Sequence, residues 1–403
     1  MNIGMPTALI DTMRPAQPTA RRKRSALCAA IAAGLALASA SAGAITRDQA
    51  KRIHDRFEKE HGLRLRLGTG PEVMWLRKDA EGRPSGICSS PQAGGVDQLE
   101  SLRPVVLRVI EYARRMGLDV TQCGHGDAPG QLRLELDHDD ALRAADRLAT
   151  YRQICAQVAR ELNLVACFMG KPFTDAPANG CDHIFALWKG GKDEIRSLGN
   201  DLKKLPGLDQ SYMYRRGGDN AFMPDTDDVR LPGKMALSAI GGILQHLAGL
   251  LAIGCPTVNS YRGLADAMSR SSLRPGWSLQ GRSTAVRVSA PGRIDYRGVD
   301  TMVNPYLMAA GLLRAMDDGI RSKLDAGAPE DRDATPAPEN GRARGLRTTL
   351  GDSLAALASD DVVRSAMPGE LYDLYDRGKR EEWRRFLHTA TDWDLRTYLG
   401  SLP

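Results

Sequence analysis

Residues 293 to 297 read Arg-Ile-Asp-Tyr-Arg, so Arg293, Asp295 and Arg297 share one face of the chain if the segment is a strand. Two guanidinia and a carboxylate aimed into one cavity can neutralise a phosphorylated ligand and help to hold a divalent cation. Arg282 and Arg287 precede them in the same segment. Phosphoryl transfer from ATP uses this combination, arginines against the phosphate charge and carboxylates on the metal. Three further stretches are dense in such groups: GPEVMWL with Glu72, HGDAPGQLRLEL with His125, Asp127, Arg133 and Glu135, and KPFTDAPANGCDHIFALW with Asp182 and His183. By composition alone, an Arg-x-Asp-x-Arg strand also describes a solvated sheet edge with exposed ion pairs, so both readings stand.

Positioning these groups requires strands. RLRLGTGPEVMWL alternates as a strand does, with Gly68 and Gly70 marking a bend or bulge. In QLRLELD, Leu132, Leu134 and Leu136 form an apolar face, which sends Arg133 and Glu135 to solvent or to a cavity. FALW and the segment from 280 to 297 read as further strands. The helices are equally legible. RDQAKRIHDRFEKEHGL spaces Ala50, Ile53 and Phe57 on one face and closes at Gly62. Asp139 or Asp140 caps a helix whose stripe runs through Ala141, Leu148, Tyr151, Cys155 and Leu162. KMALSAIGGILQHLAGLLAIG reads as one helix, apolar around most of its circumference and therefore buried. NPYLMAAGLLRAMDDGI is another, with Pro305 in its first turn. Residues 189–232 read as a polar insertion, 325–348 as a loop and 349–403 as a helical tail. Strands and helices in mixed order, with neither a regular βαβ period nor a glycine-rich phosphate loop, predict an α+β fold.

The chain of 403 residues is 42% hydrophobic and can bury a large core. A net charge of +6 spread over both signs, with 5% aromatics, excludes a dominant nucleic-acid stripe and a membrane-binding face. Seven cysteines without a C-x-x-C pair argue against a zinc finger or disulfide framework and for a reducing, cytoplasmic setting. Residues 21–44, however, have the basic lead, apolar run and small residues of a secretory signal, so export is the alternative. That run is too short and Ala-rich to predict a membrane span.

The dense stretches, with DDALRAADRLATYRQ, FMGKPF, NGC, PTVNSYRGL, NPYLMAAGLL and the final EEWRRF and TDWDLRTYL, resemble in order and spacing the catalytic domain of glutamine synthetases. The likeness runs over residues 47–403 and is nearest to the γ-glutamylmethylamide synthetase and type III branch. It implies a curved antiparallel sheet backed by helices. It also implies an ATP- and Mg²⁺- (or Mn²⁺-) dependent ligase that joins glutamate to ammonia or an amine through a γ-glutamyl phosphate. The family's N-terminal β-grasp domain, which completes a neighbouring subunit's site, has no counterpart in residues 1–46, so a homo-oligomer is expected only weakly.

Carried over residue by residue, the resemblance implies a metal site of Glu72, Asp182 and Asp295, phosphate contacts from Arg282 and Arg287, and a nucleotide contact from Arg293. Asp295 and Arg282 would serve the chemistry, and Gly180, Arg262 and Arg297 the substrate. The carboxylates of a second metal site are replaced by Met74, Gly126 and Arg133. Either Arg133 replaces the metal electrostatically or that site is dead. His183, between the positions of the family's two histidines, points to the opposite strand face unless the register slips. The family's substrate arginine falls at Gly263, next to Arg262. A relative that keeps the fold as a nucleotide or amino-acid binding module is the alternative to a working ligase.

Overall fold

In a computed structural model of the chain, the described residues are 46–87, 96–118, 120–189, 220–226, 228, 231–264, 273–279, 281, 283–330 and 349–399. Most of the expected 189–232 insertion and of the 325–348 loop, the 21–44 segment and Arg282 lie outside them.

Helix α1 (46–61) carries Ala50, Ile53 and Phe57 inward and ends at Gly62, whose φ of 65° suits a residue without a Cβ. The sheet follows. Strand β1 (Leu63–Lys78) is its spine, pairing with β4 (Gln131–Asp140) on one side and β6 (Cys181–Lys189) on the other. Across the sheet the order is β3 (Val120–His125), β4, β1, β6, β9 (Arg293–Tyr296), β8 (Thr284–Ala290) and β7 (Arg274–Ser278). The short strands β2 (Pro84–Ile87) and β5 (Leu164–Cys167) pair with the far end of β1. The α+β class and the sheet backed by helices expected from the sequence are present, with one difference. The β7–β8 pair is parallel, so the sheet is mixed rather than purely antiparallel. The bend expected at Gly68 is a register shift between Leu67 and Thr69 against β4.

One face of the sheet is apolar. Leu65, Leu67, Val73, Trp75, Leu132, Leu134 and Phe185 are all buried there, each side chain contributing about 1.5–3 kcal/mol by leaving water. Helix α2 (Arg103–Arg115) and helix α3 (Ala141–Glu161) cover part of this face, α3 packing on β1, β4 and β5. The Asp140 side chain caps α3 by accepting from Leu142 N at 3.2 Å.

The apolar segment after residue 233 is two helices, not the single one its pattern predicts: α4 (Lys234–Gln245) and α5 (Leu247–Gly254), bent by 75°. His246 sits at the break, where its ring is held by carboxylates of two other segments: Nε2 lies 3.1 Å from Asp318 and Nδ1 2.9 Å from Asp360. Hydrophobic pattern does not register such a side-chain anchor. Helix α6 (Val258–Leu264) and helix α7 (Pro305–Ser322) follow, and Asn304 caps α7 with Pro305 in the first turn. The tail contributes α8 (Leu350–Ala358), α9 (Asp361–Arg364), α10 (Glu370–Leu387) and α11 (Asp392–Tyr398). Among the described residues no single helix is long and apolar enough to cross a membrane, and the bent pair that passes by length is largely buried.

Candidate functional site

The polar face of the sheet holds a pocket of about 290 Å³. Strand alternation builds it. The pairings Glu72↔Arg133, Gly70↔Asp182 and Gly124↔Arg133 place these residues side by side, while their apolar neighbours in sequence go to the core. The wall includes Glu72, Arg133, Glu135, Asp182 and Arg287 from the strands and Arg297 just past the end of β9, with Gly180, Ser260, Gly263 and Asp300 closing one side.

Arg133 organises this wall. Its Nη1 donates to Asp182 Oδ2 at 3.1 Å and lies 3.7 Å from Glu72 Oε1, while Nη2 donates to Glu135 Oε1 at 3.2 Å. The guanidinium lies over Gly70, where an added Cβ would be only 2.6 Å from Nη2, so a glycine is what lets it reach the three acids. Burial opposes its charge, but Asp182, Glu72 and Glu135 outweigh burial and hold it more firmly protonated than usual. Burial likewise works against the Asp182 anion. Arg133, Arg297 and Arg287 overcome it and keep that carboxyl below its ordinary range.

Glu72 behaves differently. Burial pushes its carboxyl up to about 7, only partly countered by Arg133 and by the Gly180 N–H, which donates to Glu72 Oε2 at 2.7 Å. Gln131, on the same strand face as Arg133 and Glu135, is buried and ties that face to the 178–179 segment. Its Nε2 donates to the Ala178 carbonyl at 2.9 Å and to Asn179 Oδ1 at 2.8 Å.

The geometry does not gather the implied metal set of Glu72, Asp182 and Asp295 on one point. Asp182 is engaged by Arg133 and lies 4.0 Å from Arg297 Nε. Asp295, 1% exposed, accepts from Arg287 Nη2 at 2.6 Å, Arg287 Nε at 3.1 Å, Ser289 Oγ at 2.7 Å and Arg293 Nε at 3.4 Å. It takes no place in the pocket wall. A divalent cation between Glu72 and Asp182 would have to displace the Arg133 guanidinium, which donates to Asp182 and lies 3.7 Å from Glu72, so the residues present do not fit the metal that the resemblance implies. Among the described residues one trio of potential ligands lies close together, Glu60, His61 and Asp317, none of them in the pocket wall. Arg321 already pairs with its two carboxylates.

The remaining expectations divide. Gly180, Arg287 and Arg297 line the pocket. Arg293 contacts Asp295 but does not line it. Arg262, expected at the substrate, is exposed on the outer side of α6 and lies over the Phe386 ring at 5.7 Å, outside the pocket wall, while Gly263 faces the pocket. His183 is fully buried on the opposite face, its Nδ1 2.8 Å from the Cys181 carbonyl, and burial lowers its pKa to about 4. Asp300 and Ser260 are pocket residues that motif reading passed over. The available signal was an acid only three residues beyond Arg297, between two recognisable motifs.

The family model described as "Glutamine synthetase, catalytic domain" matches residues 44–205 and 208–398. The glutamate–methylamine ligase of Methyloversatilis universalis is 31% identical over 346 residues, covering 82% of this chain and 72% of that one. The glutamine synthetase of Rhizobium meliloti is 29% identical, covering 84% and 74%. A solved structure described as "GmaS/ADP complex-Conformation 1" superposes with a TM-score of 0.75 at 27% identity, over 88% of this chain and 77% of that one. With a catalytic-domain match across nearly the whole described fold and ligases among its relatives, the chain belongs to the glutamine synthetase catalytic-domain family.

Proposed function

We propose that this chain uses the glutamine synthetase fold to bind a small amino-acid-like ligand without a divalent metal, and that it has lost metal-dependent phosphoryl transfer. The observation carrying this reading is the Arg133 guanidinium seated among Glu72, Asp182 and Glu135. A fixed monovalent cation in the wall neutralises the acids but offers no open coordination position to a phosphate oxygen. The pocket volume of about 290 Å³ suits a ligand the size of glutamate, and its alternating arginines and carboxylates suit a ligand carrying both charge signs.

Calorimetric titration of glutamate in chelator and in Mg²⁺, paired with a hydroxamate assay in Mg·ATP and hydroxylamine, tests the reading. Equal glutamate affinity in both media and no hydroxamate above background are expected. Binding that needs Mg²⁺, or hydroxamate formation, overturns it.

A second reading, a working ligase for glutamate and ammonia or an amine, is favoured by the retention of Arg287 and Arg297 in the pocket and by the ligase relatives. Oriented binding and charge neutralisation supply much of phosphoryl transfer, so an arginine-lined site can retain some rate. Hydroxamate formation is its signature.

A further inference from the structure

His246 is 9% exposed at the break between α4 and α5, and both of its ring nitrogens face carboxylates. Nδ1 lies 2.9 Å from Asp360 Oδ2 and Nε2 3.1 Å from Asp318 Oδ2. A neutral imidazole has one N–H, so its other nitrogen would set a lone pair against a carboxylate at that distance. Only the imidazolium donates to both acids. Asp360 is fixed in place: its Oδ1 caps α9 by accepting from Val363 N at 3.0 Å, and Gly249 on α5 lets it approach, an added Cβ there standing 3.1 Å from Oδ2.

Helix α5 packs on α4, α7, α8 and α9. It has no charged side chain of its own, and α4 has only Lys234, at its opposite end. On α7, Asp317 pairs with His61 and Arg321, and Arg314 is directed to the charges of that same cluster. On α8, Asp352 bonds to Thr349, and on α9 Asp361 pairs with Arg364. Among the described residues Asp318 and Asp360 are therefore the groups that set the charge of the ring, and against the burial that opposes it they raise its pKa.

The far end of α5 meets the pocket. The Gly254 carbonyl accepts from Asp300 N at 3.0 Å, and a Cβ on Gly254 would stand 2.2 Å from the Gly298 carbonyl oxygen. The turn resting there brings Arg297, Val299 and Asp300 into the pocket wall, and Cys255 lines it too. The last turn of α5 is also held by hydroxyls, Tyr261 donating to the Leu251 carbonyl at 3.3 Å and Tyr375 to the Ala252 carbonyl at 2.6 Å. Tyrosine hydroxyls keep their protons to about pH 10, so His246 is the tie on α5 that titrates near neutrality.

Resting on the reading of this pocket as a ligand site, we propose that His246 is a positioning residue, which holds the 297–300 wall through α5 only while its ring is charged. Below the pH at which the folded ring gives up its proton, the junction is closed and the pocket binds tightly. Above it, one of the two contacts turns repulsive, α5 loosens at its first turn and affinity falls.

Hydrogen exchange of the full, unliganded chain reads the junction directly, and calorimetry with L-glutamate in chelator reads its effect on the pocket. Both are run at about pH 6 and about pH 9, with exchange corrected for its intrinsic pH dependence. His246→Gln removes the titrating group. Asp318→Asn lets the neutral ring donate to Asp360 while the new amide donates to Nε2, which keeps the junction closed at both pH values. Melting curves establish that each variant is folded. Asp318→Asn, at a side chain 34% exposed, carries the comparison alone if His246→Gln is not.

In the wild type, amides of residues 298–303 are expected to lose at least about tenfold in protection at the higher pH, with no matching loss in β4, and in Asp318→Asn to change less than about twofold. The ratio of wild-type to variant glutamate affinity should fall at least about fivefold over the same interval, a ratio in which titrations common to both proteins cancel. Protection that is flat in the wild type, a loss shared by Asp318→Asn, or an affinity ratio constant with pH overturns the positioning role while glutamate binding leaves the pocket reading intact. The expected exchange pattern with no glutamate binding at either pH overturns the pocket reading and leaves the hold of His246 on the 298–300 turn standing.

Discussion

Arg133 and His246 solve the same electrostatic problem in different chemistry. Each is a nitrogen cation set among carboxylates from separate segments: Arg133 among Glu72, Asp182 and Glu135 in the sheet, and His246 between Asp318 and Asp360 where helices meet. A guanidinium is planar, offers five donors and stays charged at every accessible pH. An imidazole offers two nitrogens and loses its charge near neutrality. The pocket therefore has a fixed internal cation, and the helix junction a conditional one. The sheet site keeps its cation at every accessible pH, although burial pushes the Glu72 carboxyl beside it up to about 7, whereas at the α4–α5 bend the cation itself depends on the medium.

The largest effect is expected from Arg133→Ala. It leaves Glu72 and Glu135 without their ion pair and Asp182 with only the more distant Arg297, a loss of about 3 kcal/mol, toward the lower end of such cases because a quarter of the side chain is exposed. Urea unfolding measures it. Because the vacated position is ringed by oxygens, millimolar Mg²⁺ is expected to restore much of the stability of the variant and none to the wild type. A loss under about 1 kcal/mol, or equal Mg²⁺ stabilisation of both proteins, would contradict the role of the guanidinium as resident cation.

His246 predicts a smaller, pH-dependent effect. Burial works against its charge, but the bonds to Asp360 and Asp318 win and raise the pKa above the ordinary value. A base whose folded pKa is raised contributes stability that is fully present below the unfolded pKa, near 6.5, and is lost as pH rises through the folded value. The difference in unfolding free energy between wild type and His246→Gln should shrink with rising pH above about 6.5, by at most about 1.4 kcal/mol per unit for one proton. A difference that is flat with pH means the ring is neutral when folded.

The contrast also explains what the sequence disclosed. Period-two alternation in QLRLELD and GPEVMWL was enough to put Arg133, Glu135 and Glu72 on one face, because the core needs Leu132, Leu134 and Val73 on the other. The same rule placed His183 away from Asp182. Alternation says which face a side chain takes but not where a long side chain ends. Asp295 shares the face of Asp182, yet Arg287, Ser289 and Arg293 hold its carboxylate apart. Likewise the apolar pattern through residues 234–254 carried no sign of the break at His246, since the partners, Asp318 and Asp360, lie 72 and 114 residues away. Asp300 was passed over because its place in the pocket wall comes from the turn after β9, which strand alternation does not reach.

The smallest effect sharpens the comparison from the backbone side. Gly70 makes room for the Arg133 guanidinium, and Gly70→Ala sets a methyl 2.6 Å from Nη2 and 2.9 Å from Cζ. The obstructed atoms are the far end of a flexible side chain, so the guanidinium can shift rather than the strand, but three carboxylates resist the shift. A cost of about 1 kcal/mol is expected, toward the low end for overpacking. In a double-mutant cycle with Arg133→Ala the cost should largely vanish, because the obstructed group is gone. A Gly70→Ala penalty that persists in the Arg133→Ala background would place the strain in the β1 backbone, and the glycine would then serve the strand rather than the cation beside it.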